Sequence, residues 1–429
     1  MKILWVKANK LLPLHSGGDI RSYNILRQLA AHHEVTLLSY YDGTPDAEYE
    51  AALNQHFPDA VLLATGKNDV TVLRRGLDYL FRLPNQEPYA VGRFACAQVE
   101  HRLKKWYLGQ TFDAVVCDFL DAAVNLPLDL TIPTVLFQHN VESEIWRRHA
   151  TAESNPVKKL MYRVEFAKML AYEQKVVRKF HHVIAVSQHD RELMTAWVDA
   201  SKITVVPTGV DLRQFRPDPS GQGVGPLVMF VGAMDWEPNI DAVEHFCQES
   251  WPAIRSRFAT ARFRIVGRNP DRRVQKLVSS SIEVTGSVPS VVEHLREAAV
   301  VVIPLRVGGG TRLKIYEAMA VGKAVVSTSV GAEGLDVTNG LDIVLADNPD
   351  AFAEAVVMLL RDGERRHNYE RAAAACAARH DWPRIGEKFV DVLQALVNGT
   401  PVAERSYVPA IAGAERRIEK GEIRWPQPK

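Results

Sequence analysis

The chain is poor in cysteine, in long apolar runs and in net charge. Its 4 cysteines, Cys96, Cys117, Cys247 and Cys376, lie far apart in 429 residues. None forms a CxxC pair, which argues against a zinc site or a disulfide framework and fits a reducing cytoplasm. The longest apolar stretch, AAVVVIPL at 298–305, falls far short of the ~18–20 residues that span a bilayer. The opening MKILWVKANK has too short an apolar run for a secretory signal and reads as a buried strand. With 52 basic and 51 acidic residues the net charge is +1, so overall charge points to neither nucleic acid nor membrane. There is no Asp-x-Asp, a carboxylate pair suited to holding a divalent ion against a diphosphate, and no residue-level repeat. No metal is expected.

A hydrophobic fraction of 47% with 24% charged residues is that of a folded protein, and the length calls for two or more domains. Short β-branched runs recur, most followed by a helical pattern. Examples are ILWV (3–6), DAVVCD (113–118) and PTVLFQ (133–138) in the first half, and LVMFVG (227–232), RFRIVG (262–267) and VVVIP (300–304) in the second. Strands apolar throughout, alternating with helices, predict parallel sheets buried on both faces: an α/β protein of two doubly wound, Rossmann-like domains. The expected boundaries are 1–206, a Pro/Gly-rich linker at 207–226, a second domain at 227–379, an amphipathic helix at 380–397 and a polar tail at 398–429. In that helix Ile385, Phe389, Val392 and Leu393 fall on one face. Residues 70–109 and 145–182 are helical, basic and dotted with aromatics. They read either as solvated helix faces over a core or as a surface for anionic lipid or an amphiphilic acceptor.

The segment PLRVGGGTRLKIYEAMAVGKAVVST (304–328) carries the most chemistry. A strand ends at Pro304, and Gly308, Gly309 and Gly310 lead into a helix expected to start near Thr311. Free amides at such a turn, and the positive end of the helix dipole, favour a phosphate. Arg312 and Lys314 add positive charge in the first turn, where the helix alone prefers acids. A bound anion would offset them. Glu317, three residues after Lys314, shares its side of the helix and can accept hydrogen bonds from a ribose diol.

This segment resembles the retaining glycosyltransferases of family 4, which have the GT-B fold: two Rossmann-like domains facing a central cleft. In that family such a helix carries two glutamates eight positions apart. The second matches Glu317, whereas the first falls on Gly309 and is absent. The GGGTRLK form is similar to a variant among bacterial polysaccharide enzymes, including sugar transferases of exosortase-associated clusters. Other segments resemble the family in order. HSGGDIRSY (15–23) matches its first glycine-rich loop, with Gly17 and Gly18 near donor diphosphate and acceptor. FQHNVESE (137–144) places His139 where the family has a histidine at the donor sugar, which implies a role in the reaction rather than the fold. Ser187 in AVSQHDRELM (185–194) is expected to cap a helix. FVGAMDWEPN (230–239) keeps Gly232 but has Ala233 and Met234 where many members have Gly-Arg and a later lysine. The missing cation is therefore sought in Arg312 and Lys314. IVGRNP (265–270) and TGSVPS (285–290) imply a base slot with Arg268 and the backbone around Val288.

The resemblance implies a metal-independent, retaining hexosyltransferase of polysaccharide or glycoconjugate biosynthesis. His139, Lys314 and Arg312 serve catalysis. Gly17, Gly18, Gly232, Arg268, Val288, Gly309, Gly310, Thr311 and Glu317 bind substrate. The expected partners are a nucleotide-sugar co-substrate of unknown base and a glycan or lipid-linked acceptor, with no cofactor and no nucleic acid. The expected location is the cytoplasm, or the inner face of the cell membrane by peripheral contact. The competing readings are a non-catalytic nucleotide-sugar-binding subunit and a nucleotide-sugar epimerase.

Overall fold

The computed structural model describes residues 1–14, 16–66, 78–79, 81–109, 112–127, 131–217, 225–307 and 312–402. The chain divides into two compact units, Met1–Pro207 with the residues from Ile385, and Thr208–Arg384. Among the described residues, no helix is long and apolar enough to cross a membrane.

The first unit is built on a seven-stranded sheet. Its strands are β1 (Lys2–Ala8), β2 (Glu34–Tyr41), β3 (Val61–Ala64), β4 (Ala114–Asp118), β5 (Thr134–Phe137), β6 (His182–Ala185) and β7 (Ile203–Val205). They run parallel in the order β3-β2-β1-β4-β5-β6-β7. The second unit has a six-stranded sheet ordered β10-β9-β8-β11-β12-β13. Here β8 is Leu227–Val231, β9 Arg262–Val266, β10 Ile282–Gly286, β11 Val300–Ile303, β12 Ala324–Ser327 and β13 Val344–Leu345. The paired strands are parallel. Thus every strand seen in the β-branched runs forms, and the two doubly wound sheets follow. The physical reason is burial: β4, β5, β6, β11 and β12 are buried at every residue, as helices on both faces require.

In each sheet the connections reverse direction once. From β1 the chain turns towards β2, and from β4 towards β5; in the second sheet the divergence lies between β8 and β11. Within each unit the helices that leave these strands start at one edge of that unit's own sheet, so a ligand beyond the carboxyl ends meets their amide-bearing first turns. One such helix is Gly17–Ala30, after β1. Ser16 caps it, accepting from the Asp19 amide at 3.1 Å and donating to the Asp19 carboxylate at 2.7 Å. Ser187 caps helix Gln188–Thr195 as expected, accepting from the Asp190 amide at 3.0 Å.

The stretch expected to be a linker, 207–226, is in part core. Val210, Leu212 and Phe215 are buried with the second unit's apolar cluster, and the Val210 amide donates to the His380 carbonyl. Its polar composition hid three apolar side chains that anchor it; residues 218–224 lie outside the described residues. Helix Trp382–Val397 buries Ile385, Phe389, Val392 and Leu393. Phe389 packs against Trp5 and Phe137, with ring centroids 5.7 and 5.1 Å apart, so this helix completes the first unit's core from the far end of the chain. The polar tail beyond residue 402 lies outside the described residues.

Phe389→Ala removes a fully buried ring from this contact. It should destabilise the first unit by about 3–5 kcal/mol, read as an earlier first transition in urea unfolding. An unchanged midpoint would mean that the helix contributes nothing to that core.

Candidate functional site

In the first unit the ends of β1 and β4 converge on a buried polar network. Asp118, the last residue of β4, is fully buried. It accepts from Trp5 Nε1 at 3.0 Å, Ser22 Oγ at 2.9 Å and His139 Nε2 at 2.8 Å. The Lys7 ammonium lies 3.6 Å from Asp118 and 3.3 Å from Asp19. Burial works to protonate Asp118, but the Lys7 charge and the His139 and Ser22 bonds outweigh it and hold the carboxyl well below the usual range. Burial equally opposes the charge on Lys7, yet Asp118 and Asp19 raise its pKa.

His139 follows β5 and is buried. Burial outweighs the attraction of Asp118 and lowers its pKa to about 4. A neutral imidazole facing an ionised carboxylate carries its proton on Nε2. Nδ1 then faces Arg21 Nη1 at 3.4 Å, and the ring stacks on Phe119 at 4.6 Å. The expectation of a histidine serving only the reaction thus meets a histidine whose nitrogens are engaged within the fold. Gly18 is beside it: a Cβ at that glycine would lie 3.7 Å from Nδ1. Phe119 itself has φ 75° and ψ 155°, a conformation that costs about 1–3 kcal/mol for a residue with a side chain. The strain turns the chain sharply after Asp118 and lays the Phe119 ring against His139.

In the second unit the candidates gather after β8 and β11. Helix Leu313–Ala320 starts at Leu313, with Arg312 as its N-cap residue. Arg312, expected inside the first turn, therefore precedes it and is buried. Leu313, Ile315, Tyr316, Ala318, Met319 and Ala320 are buried. Such an apolar helix leaves Lys314 and Glu317 as its half-buried positions. Tyr316 locks the helix from below, its hydroxyl 3.1 Å from His380 Nε2 and its ring stacked on the histidine.

The Lys314 ammonium reaches back to the end of β8. It donates to Asn239 Oδ1 at 2.9 Å and lies 4.5 Å over the Phe230 ring. A Cβ at Gly232 would come within 2.6 Å of Nζ, so Gly232 leaves the ammonium its room. Burial, and then the Arg312 charge, push the Lys314 pKa down to about 7, against the pull of Glu317. Burial raises Glu317 to about 7 against the pull of Lys314. Both groups thus sit close to their titration points at neutral pH. Arg268 lies just past β9, half exposed, 4.0 Å from Asp235 Oδ2. Its carbonyl accepts from the Met234 amide, which ties it to the loop after Gly232. Val288, after β10, is half-buried against the core. Gly17 and Gly18 form the first turn of their helix in the first unit. Gly308, Gly309, Gly310 and Thr311 lie outside the described residues.

Three groups escaped the sequence reading. Lys7 and Asp118 are charged residues at the ends of apolar strands, a signal that was there to use. Asn239 gave none, because a lone asparagine after a proline reads as a helix start.

The His139 pKa generates a pH test. In the unfolded chain a histidine titrates near 6.5, so between about 6.5 and 4 the unfolded state binds the extra proton. Stability therefore falls as pH drops through that window, by up to ~1.4 kcal/mol per unit for one proton. His139→Gln should flatten this dependence in melting curves from pH 7 to 5 while lowering stability at pH 7. An unchanged acid slope would show that His139 is not held neutral.

Comparison with known proteins places this geometry. Residues 15–214 match the family described as "Glycosyltransferase Family 4", and residues 225–362 match "Glycosyl transferases group 1". A phosphatidyl-myo-inositol mannosyltransferase of Mycolicibacterium smegmatis is 25% identical over 280 residues, covering 63% of this chain and 69% of that one. A D-inositol 3-phosphate glycosyltransferase of Frankia alni is 28% identical over 238 residues, 49% of this chain and 58% of that protein. Among solved structures, Anabaena HepE in complex with UDP superposes with a TM-score of 0.65 at 15% identity, over 92% of this chain and all (100%) of that one. Sucrose-phosphate synthase from Thermosynechococcus elongatus gives a TM-score of 0.67 at 16% identity, over 93% and 100%. At such identities the structures speak for the fold alone. Together the two family matches run over most of the chain, which belongs to the family 4-like glycosyltransferases of GT-B fold.

Proposed function

We propose that the protein moves a hexose from a nucleotide-sugar donor to a glycan or lipid-linked acceptor, with retention of anomeric configuration and without a divalent metal. One observation carries the reading: Lys314 and Glu317 are a half-buried cation and carboxylate on the helix after β11, with the ammonium drawn to the end of β8. That edge is where nucleotides bind in such sheets. In this reading Lys314 meets the donor diphosphate and Glu317 accepts from the ribose. Gly232 gives the phosphates backbone access, and Arg268 with the Val288 backbone flanks the base. Arg312 and the amides at Gly309, Gly310 and Thr311 add to the positive field.

Catalysis in this scheme is electrostatic. As the anomeric bond breaks, negative charge grows on the leaving diphosphate, and a cation already held in place stabilises it at little reorganisation cost. The incoming hydroxyl attacks from the same face and passes its proton to the leaving phosphate oxygen. Acceptor recognition is assigned to the first unit around Gly17 and Gly18, with His139 as a positioning residue that braces the wall beside them. The relatives named as phosphatidyl-myo-inositol mannosyltransferases support a lipid-linked acceptor, and a peripheral membrane contact would follow from it. Support for a nucleotide-sugar donor comes from HepE, solved with UDP and glucose.

Glu317→Ala tests the reading. Loss of a charge-assisted hydrogen bond costs about 1.5–3 kcal/mol, roughly a 10- to 100-fold loss of affinity. Calorimetry with UDP and with GDP should show that loss for whichever nucleotide the wild type binds. Equal affinity in the variant removes the ribose assignment. For the metal, transfer assayed after dialysis against EDTA should persist; activity abolished by EDTA and restored by magnesium or manganese would overturn that part.

A further inference from the structure

The second unit brings an ammonium to a strand end that carries no cation of its own, and an uncharged side chain holds it there. We propose that Asn239 is a positioning residue for the donor diphosphate, fixing the Lys314 ammonium at the end of β8 in place of the cations missing after Gly232. This rests on the assignment of Lys314 to the diphosphate.

Asn239 is only 2% exposed, on helix Glu237–His245. Its Nδ2 donates to the Ala233 carbonyl at 2.8 Å. That bond fixes the orientation of the amide, since only its nitrogen can donate. The Oδ1 is thereby turned to Lys314 Nζ at 2.9 Å. A Cβ at Gly232 would lie 2.7 Å from Asn239 Nδ2 and 2.6 Å from Lys314 Nζ. The two side chains therefore fill the space that any larger residue at 232 would take, and the loop, the amide and the ammonium form one interlocked unit.

The choice of a neutral acceptor has a physical reason. A lysine stem has many rotamers, and a fixed acceptor removes that freedom before the ligand arrives. A carboxylate at 239 would orient the ammonium equally well but would cancel its charge. An amide orients it and leaves the charge for an anion, with N–H bonds to spare. The other charged groups that act on Lys314 both lie towards its own helix: Arg312, which repels it, and Glu317, which attracts it. From the β8 side it meets the neutral Asn239 and the Phe230 ring. Without Asn239 the ammonium would lose a neutral acceptor that favours its charged form.

Inorganic pyrophosphate is the probe, because it needs neither base nor ribose. Its affinity is measured by calorimetry from pH 6 to 9 for wild type, Lys314→Met, Asn239→Asp and Asn239→Ala, with the melting temperature of each. The ligand's own ionisation is common to all four and cancels in the ratio to wild type. Lys314→Met should weaken binding about 10- to 100-fold at pH 6.5 and little at pH 9. Asn239→Asp places an opposite charge on the ammonium, so the pH at which affinity decays should move up by about one unit or more, even if binding is weaker throughout. Asn239→Ala should move it down. Either Asn239 variant that folds decides the matter. If the decay stays at the wild-type pH while Lys314→Met weakens binding, the positioning role is overturned and the diphosphate assignment stands. If Lys314→Met binds as tightly as wild type, the diphosphate assignment falls and takes the positioning role with it.

Discussion

The close approach of two loops governs the second unit. A Cβ at Gly267, just past β9, would lie 1.7 Å from the Gly232 carbonyl oxygen, just past β8. Only a glycine lets these backbones touch past the ends of β8 and β9. The Lys314 side chain reaches this strand end from a helix that follows a different strand. The ammonium, the Phe230 ring beneath it and the Asn239 amide beside it depend on that backbone surface rather than on one another alone. A side chain at either glycine would displace the whole group.

The first unit solves a related problem by other means. Its equivalent edge is filled by charge that is fully enclosed: Asp118 with three hydrogen-bond donors and the Lys7 ammonium. Removing one partner from such a group is costly because it strands a buried charge. This network is therefore expected to be rigid and to fix the Gly17–Gly18 turn through Asp19 and Ser22. In the second unit Lys314 and Glu317 are half-buried and near their titration points. Their charges are open to a ligand, whereas those of the first unit are already spent on the fold. The contrast supports the proposed assignment of the donor to the second unit.

Much of this was legible in the residues. Among the described residues the thirteen strands of the two sheets announce themselves as largely β-branched runs, because the central strands of a parallel sheet covered on both faces are buried at every residue. The apolar face of helix Trp382–Val397 was equally plain from its spacing. The stretch around Leu212 and Phe215 was misread because proline, glycine and aspartate dominate it, and composition does not reveal which few side chains reach a core. Lys314 stood out because positive charge in the first turn of a helix is unfavourable unless an anion offsets it, and Glu317 because it shares Lys314's side of that helix. Asn239 and Trp5 could not stand out, since their partners are distant in the chain: Lys314 is 75 residues from Asn239, and Asp118 113 from Trp5.

By itself, then, the sequence determined the α/β class, the doubly wound sheets, the family and the helix that bears Lys314 and Glu317. Each of these rests on local periodicity or on short motifs, which are properties of neighbouring residues. Only the tertiary structure decided where the charges point. The strand order brings β8 beside β11 and β4 beside β5, and that adjacency sets an ammonium against a glycine and a histidine against an aspartate. Protonation followed from the same adjacency. Desolvation and nearby charge depend on three-dimensional packing, so the lowered pKa values of Lys314 and His139 follow from the fold and not from the local sequence.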